Sequence, residues 1–182
     1  MSRTTFSSQP PTHLQLGLTL VELMVTLGIL AILTGLAAPS FTSLFERWRA
    51  GQAISALESA LFHARAESIR RGSNLVLIRH TNDSICTAPS DADWRCGWAL
   101  TMAADKSTVL QDSNKTFHGI ALTASASVTE ISLDRWGGMQ LGDAGNSFSF
   151  TATSPNGSST SGRRLCISAG GQMVQKSADQ SC

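Results

Sequence analysis

Glu22 is the only charged residue between Arg3 and Glu46, and it stands near the start of an apolar run from Leu18 to Ala38. A carboxylate inside a membrane-length run costs a few kcal/mol on insertion scales, so it needs a cationic partner. The competing reading is a Glu that snorkels to the interface. Four cysteines, Cys86, Cys96, Cys166 and Cys182, all follow that run. No pair has C-x-x-C spacing and no histidine stands close enough to complete a zinc site, so no metal is expected. Their even number favours two disulfides and an oxidising compartment, against the alternative of four buried thiols. Of the three pairings, Cys86–Cys96 and Cys166–Cys182 are favoured because each closes a local loop. His63, His80 and His118 are scattered, with no Ser/His/Asp or Cys/His set, and read as surface or hydrogen-bonded residues. Gly137-Gly138 and Gly170-Gly171 mark turns, since no phosphate-loop pattern surrounds them. Trp94, Trp98 and Trp136 suggest a stacking platform, but Trp98 in the core and Trp94 beside a disulfide is the simpler reading. Nothing in this set is a catalytic constellation; neither an enzyme nor a cofactor is expected.

The elements that must position these residues divide the 182-residue chain into four parts. Residues 1–17 are polar and irregular, with Gln9-Pro10-Pro11-Thr12 discouraging a helix. They lack the apolar core of a secretory signal and read as a short leader that stays in the cytoplasm. Residues 18–38 form a helix about 31 Å long at 1.5 Å per residue, enough to cross a bilayer core of about 30 Å. A buried helix of a soluble protein is the alternative, disfavoured because only Thr19, Glu22, Thr26 and Thr34 are polar. Gly28 and Gly35 fall on nearly one face and allow close helix approach. Pro39 removes one backbone bond and is expected to kink the helix.

Residues 39–72 resume a helical pattern, with Leu44, Trp48, Ile54, Leu57, Leu61, Ala64 and Ile69 at steps mostly of three or four. Arg70-Arg71-Gly72 is a C-terminal stop. From residue 73 to 182 the period becomes that of strands: Leu75–Arg79, Gly97–Met102, Val109–Gln111, Val128–Leu133, Ser147–Thr151 and Arg163–Ser168. Ser154-Pro155-Asn156-Gly157-Ser158 reads as a hairpin or loop. The predicted architecture is α+β, one long N-terminal helix packed on antiparallel sheets.

Charge limits the partners. The chain carries 14 basic and 13 acidic side chains. Loss of residues 1–17, with Arg3, leaves 13 of each, and a neutral chain is no general polyanion binder. The positive-inside rule alone favours the reverse orientation, since Arg47 and Arg49 follow the span. The cysteines outweigh it, because disulfides place the C-terminal part outside the cytoplasm.

Gly17-Leu18-Thr19-Leu20-Val21-Glu22-Leu23 resembles the prepilin processing site of type IV pilins and type II secretion pseudopilins. Ala64-Arg65-Ala66-Glu67-Ser68-Ile69-Arg70-Arg71-Gly72 looks like the helix end of the GspH/FimT/FimU group. Asp93-Trp94-Arg95-Cys96-Gly97-Trp98 resembles that group's D-W-x-x-G-W segment, and Arg163–Ser168 its penultimate strand. The resemblance implies a pilin-like fold and cleavage by prepilin peptidase between Gly17 and Leu18. It further implies N-methylation of Leu18 and a mid-helix proline at Pro39; Leu18 departs from the usual Phe. Glu22 can then pair with the Leu18 ammonium of a neighbouring subunit, or with its own.

The implied role is a minor pilin that primes or caps a type IV pilus. It would be held in the bacterial inner membrane with its C-terminal domain in the periplasm, among other minor and major pilins. An H-type pseudopilin of type II secretion is the alternative. Some FimT proteins resemble DNA receptors through a Gly-Arg-x-Arg tail motif. Here Gly171-Gln172-Met173-Val174-Gln175-Lys176 lacks both arginines, leaving Arg163, Arg164 and Lys176 as candidate nucleic-acid contacts.

Overall fold

The computed structural model describes residues 17, 19–81, 85–113, 116–140, 147–154, 162–168 and 170–182, and of residues 36–40 the backbone alone. Its helix α1 (Leu20–Arg71) runs through two compact units, Met1–Pro39 and Ser40–Cys182. The helix starts where Thr19 accepts from two following amides, Glu22 N–H on its Oγ1 (3.2 Å) and Leu23 N–H on its carbonyl (3.2 Å). That is the geometry of an N-cap. It stops at Gly72, whose φ of 62° turns the chain into the left-handed region. There Ser73 N–H donates to Ser68 O and Gly72 N–H to Ile69 O, a Schellman arrangement that satisfies the last carbonyls.

In the first unit the described side chains from Leu20 to Gly35 face outward. Thr26 and Thr34 return their hydroxyls to Leu23 O, Leu30 O and Ala31 O. Their polar groups are therefore satisfied within the helix, as an apolar environment demands. Among the described residues no helix is long and apolar enough to cross a membrane. The expected span 18–38 has its first residue, and the side chains of its last three, outside that description.

In the second unit α1 buries Ala50, Ala53, Ile54, Leu57, Leu61, Ala64 and Ser68, a stripe at helical spacing. Nine strands follow: β1 (Leu75–Arg79), β2 (Trp98–Met102), β3 (Val109–Ser113), β4 (Ala121–Ala124), β5 (Glu130–Leu133), β6 (Met139–Gln140), β7 (Ser147–Thr153), β8 (Arg163–Ser168) and β9 (Met173–Ser177). They form two antiparallel sheets ordered β3-β2-β1-β5-β6 and β4-β7-β8-β9. One core joins both sheets to the helix stripe: Leu75, Leu77, Leu100, Ile131 and Leu133 from the first, Leu122, Phe148, Phe150, Leu165 and Ile167 from the second. The architecture is α+β.

Three details differ from the sequence reading. Leu44, Trp48 and Ile69 are 60%, 62% and 54% exposed and do not belong to the buried stripe. At 3.6 residues per turn Leu44 and Trp48 point away from Ala50 and Leu57, and Ile69 sits one residue past Ser68. Strands β4, β6 and β9 are additional. Ala121–Ala124 and Met173–Ser177 carry little strand propensity and owe their pairing to β7 and β8. The start of the expected strand at Val128 is a loop, and β5 begins at Glu130. The expected hairpin at Ser154–Ser158 lies, beyond Ser154, outside the described residues.

Candidate assembly site

Glu22 occupies the third position of the helix after its Thr19 cap and is exposed. Thr19-Leu20-Val21-Glu22 has the S/T-x-x-E pattern of a capping box, a signal legible in the sequence but not read there. An acidic group in the first turn also faces the positive end of the helix dipole. The carboxylate is thus held in the first turn, at the N-terminal end of α1. Gly17 is described and open around its Cα, whereas Leu18 lies outside the described residues.

Beyond Pro39, Phe41, Leu44, Phe45 and Trp48 recur at i, i+3, i+4 and i+7 and are all more than half exposed. That spacing puts them on one helix face, opposite Ala50, Leu57 and Leu61. The inward side of the same segment is marked by Glu46, which accepts from Ser154 Oγ at 3.2 Å. This helix therefore has two apolar stripes, one filled by its own sheets and one unfilled.

Arg163, Arg164 and Lys176 do not converge. Consecutive strand residues point to opposite faces. Arg163 lines a shallow pocket with Leu44, Arg47, Trp48, Gly51, Gln52 and Ser55. Arg164 pairs across the ladder with Lys176, and both are engaged: Arg164 Nη1 donates to Gln180 O at 2.7 Å and Lys176 Nζ to Ser181 O at 2.9 Å. These bonds fold the chain end over β8 and β9, where the Cys166–Cys182 disulfide also pins it. The second bridge, Cys86–Cys96, closes the loop after β1.

The Asp93–Trp98 segment is structural. Asp93 is buried, bridges to Thr123 of β4, and accepts from Arg95 N–H and from the Arg95 guanidinium. Trp94 is fully buried against Phe150, its Nε1–H donating to Val128 O at 2.8 Å. Gly97, at φ 89°, then turns the chain so that Trp98 opens β2 and stacks on Phe117. The segment ties the two sheets together, which is why it combines a buried carboxylate, two indoles and a glycine. Trp136 stands apart at 81% exposure, so the three indoles form no platform. His80 Nε2 lies 2.7 Å from Asp112 Oδ1, and His63 and His118 are exposed.

At the far end of α1, Arg65 holds a turn from each sheet. Its Nη1 donates to Gly171 O at 3.4 Å in the β8–β9 turn. Its stem and Ile69 press on Gly137 in the β5–β6 turn, where an added Cβ would come within 2.8 Å of Ile69 Cδ1 and 2.9 Å of Arg65 Cγ. Glu67 accepts from Arg70 and Arg71. The Arg70 hydrogen bond above all, with Arg71, holds its carboxyl at a pKa of about 2.

Comparison with known proteins places this architecture. Residues 53–171 match the family model described as type II transport protein GspH, and residues 13–38 match the prokaryotic N-terminal methylation motif. The type IV minor pilin FimU of Pseudomonas aeruginosa PAO1, in two crystal forms, superposes with TM-scores of 0.57 and 0.54 at 18% and 17% identity. The matches cover 75% and 71% of this chain and 95% and 94% of FimU. At such identity the likeness speaks for the fold alone. No curated protein matches the sequence. Helix, two sheets and methylation motif together define a type IV pilin-like protein, a structural subunit rather than an enzyme. Within that class the chain belongs to the GspH family, of the GspH/FimT/FimU type.

Proposed function

We propose that the chain is a minor pilin that primes or caps a type IV pilus after prepilin peptidase cuts between Gly17 and Leu18 and methylates Leu18. The observation that carries this reading is the methylation motif over residues 13–38, with Glu22 exposed in the first turn of α1. On this reading residues 1–17 are the leader and 18–38 anchor the subunit in the inner membrane before assembly. Pro39 kinks the helix, residues 39–72 carry the periplasmic domain 73–182, and other minor and major pilins are its partners. The Glu22 carboxylate pairs with the Leu18 ammonium of a neighbouring subunit, which exists only once the bond after Gly17 is cut. Removing one member of a buried charge pair costs about 3–5 kcal/mol. Glu22→Ala should therefore be processed normally yet be depleted from sheared filaments, read by immunoblot. Normal amounts of the variant in that fraction would sink the pairing.

The match to a type II transport protein supports a second reading, an H-type pseudopilin of a secretion system. Deleting the gene separates the two: loss of surface pili supports the first, and retention of exoproteins in the periplasm the second. DNA capture through Arg163, Arg164 and Lys176 has less support, because the last two already serve the chain end. A gel shift of the purified chain at low and moderate salt tests it.

A further inference from the structure

Turn chemistry explains every residue of Asp134-Arg135-Trp136-Gly137-Gly138 except two. Asp134 Oδ1 accepts from Trp136 N–H and Gly138 N–H, both at 2.8 Å, and Asp134 O accepts from Gly137 N–H at 3.0 Å. Gly137 supplies the positive φ of 80° and the close approach to α1. Arg135 gives the fold its backbone N–H, donated to Asn74 Oδ1 at 3.1 Å, while its side chain is exposed. The Trp136 side chain is 81% exposed and is not needed for the turn. A tryptophan held this way on a fixed backbone loses little conformational entropy when it is covered.

The surroundings have a definite chemistry. Ile69, against the Gly137 side of the turn, adds a second half-exposed apolar side chain. The end of α1 and this turn carry Arg65, Arg70, Arg71 and Arg135 against Glu67 and Asp134, an excess of two positive charges, with Arg70 and Arg71 already held by Glu67. The exposed Arg135 carries a planar fork that takes a carboxylate bidentately. Trp and Arg are also the residues most enriched among binding hot spots. An excess of two charges is far below the six to ten phosphate contacts that hold a protein on a polyanion.

We propose that this end of the domain, centred on Trp136 and Arg135, docks a neighbouring pilin-type subunit that presents carboxylates around an apolar pocket. The indole fills the pocket and the Arg135 guanidinium meets a carboxylate at its rim. The surface rests on the reading of the chain as an assembling subunit, and it is separate from the Glu22 pairing at the other end of α1.

The test replaces Trp136 with benzoylphenylalanine in the full chain in its own cells, followed by irradiation and peptide mapping. The expected adduct is concentrated on one acidic segment of a protein with its own N-terminal methylation motif. Arg135→Glu in the same background should lower adduct yield on the order of tenfold or more. In the otherwise native chain, Trp136→Ser should lower co-recovery with that partner in sheared fractions by a similar factor, with the melting transition unchanged. Adducts scattered over unrelated proteins, or formed with lipid or nucleic acid, overturn the proposal, as does a yield indifferent to Arg135→Glu. If the yield is indifferent while Gly17 cleavage and incorporation proceed, only the docking surface falls. If Gly17 is never cut in the native chain, the subunit reading falls and takes the named partner with it.

Discussion

Gly137 and Gly51 show how differently two glycines of this domain are constrained. Gly137 combines a φ of 80° with an approach that would bring an added Cβ under 3 Å from Ile69 and Arg65, whereas Gly51 lies in the helix with nothing within 4 Å. Gly137→Ala should cost about 1–3 kcal/mol, and Gly51→Ala should stabilise by about 0.5–1 kcal/mol. Thermal denaturation of the purified chain in detergent reads both. Glu67 sets an acid limb. Its folded pKa of about 2 lies below the ordinary 4.5. The carboxylate's contribution is therefore complete above about 4.5 and is lost as pH falls through about 2. Glu67→Gln should flatten that limb of the melting temperature against pH and leave the neutral region nearly level. Glu22 and Gly17 were legible in the sequence because their spacing is a local signal. The exposure of Trp136 was not, since exposure depends on what the rest of the chain leaves uncovered.

Helix α1 presents two apolar faces with different fates, and substitutions should separate them. Leu57 is fully buried in the core, so Leu57→Ala should cost about 2–5 kcal/mol. Trp48 is 62% exposed, so Trp48→Ala should change stability by about 0.5 kcal/mol or less. Urea denaturation of both variants checks the contrast. At the other end of the chain, Cys166–Cys182 closes 16 residues of sequence separation over β9. A loop of that size is worth about 3 kcal/mol in the chain-entropy model. The Cys166→Ser/Cys182→Ser variant should lose about that much and show faster amide exchange in β9, with Arg164 and Lys176 still bonded to the chain end. The helix and the strands Leu75–Arg79 and Arg163–Ser168 could be read from periodicity and turn residues. Strands β4 and β9 could not, because Ala-Leu-Thr-Ala and Met-Val-Gln-Lys-Ser become strands only by pairing with β7 and β8.

Stability and assembly should respond to different residues of this subunit. The described part of the first unit contributes outward-facing apolar side chains, while the second holds its own core of helix and two sheets. A Phe45→Ser/Trp48→Ser variant should therefore fold with a near-native melting temperature and still be depleted from sheared filaments; parallel calorimetry and immunoblotting check this. The sequence by itself determined the α+β class, the long helix with its charge at Glu22, the N-terminal methylation motif and two local disulfides. Each is written in residues close together in the chain, where helical period, loop closure and motif spacing operate. Only the tertiary structure decided which helix stripe is filled, why Asp93–Trp98 joins the sheets, and that Arg164 and Lys176 are engaged with the chain end. It also decided that Arg65 meets turns from both sheets and that Trp136 is left in the open. Those outcomes depend on packing between residues tens of positions apart, and burial is a property of the whole molecule that no local pattern contains.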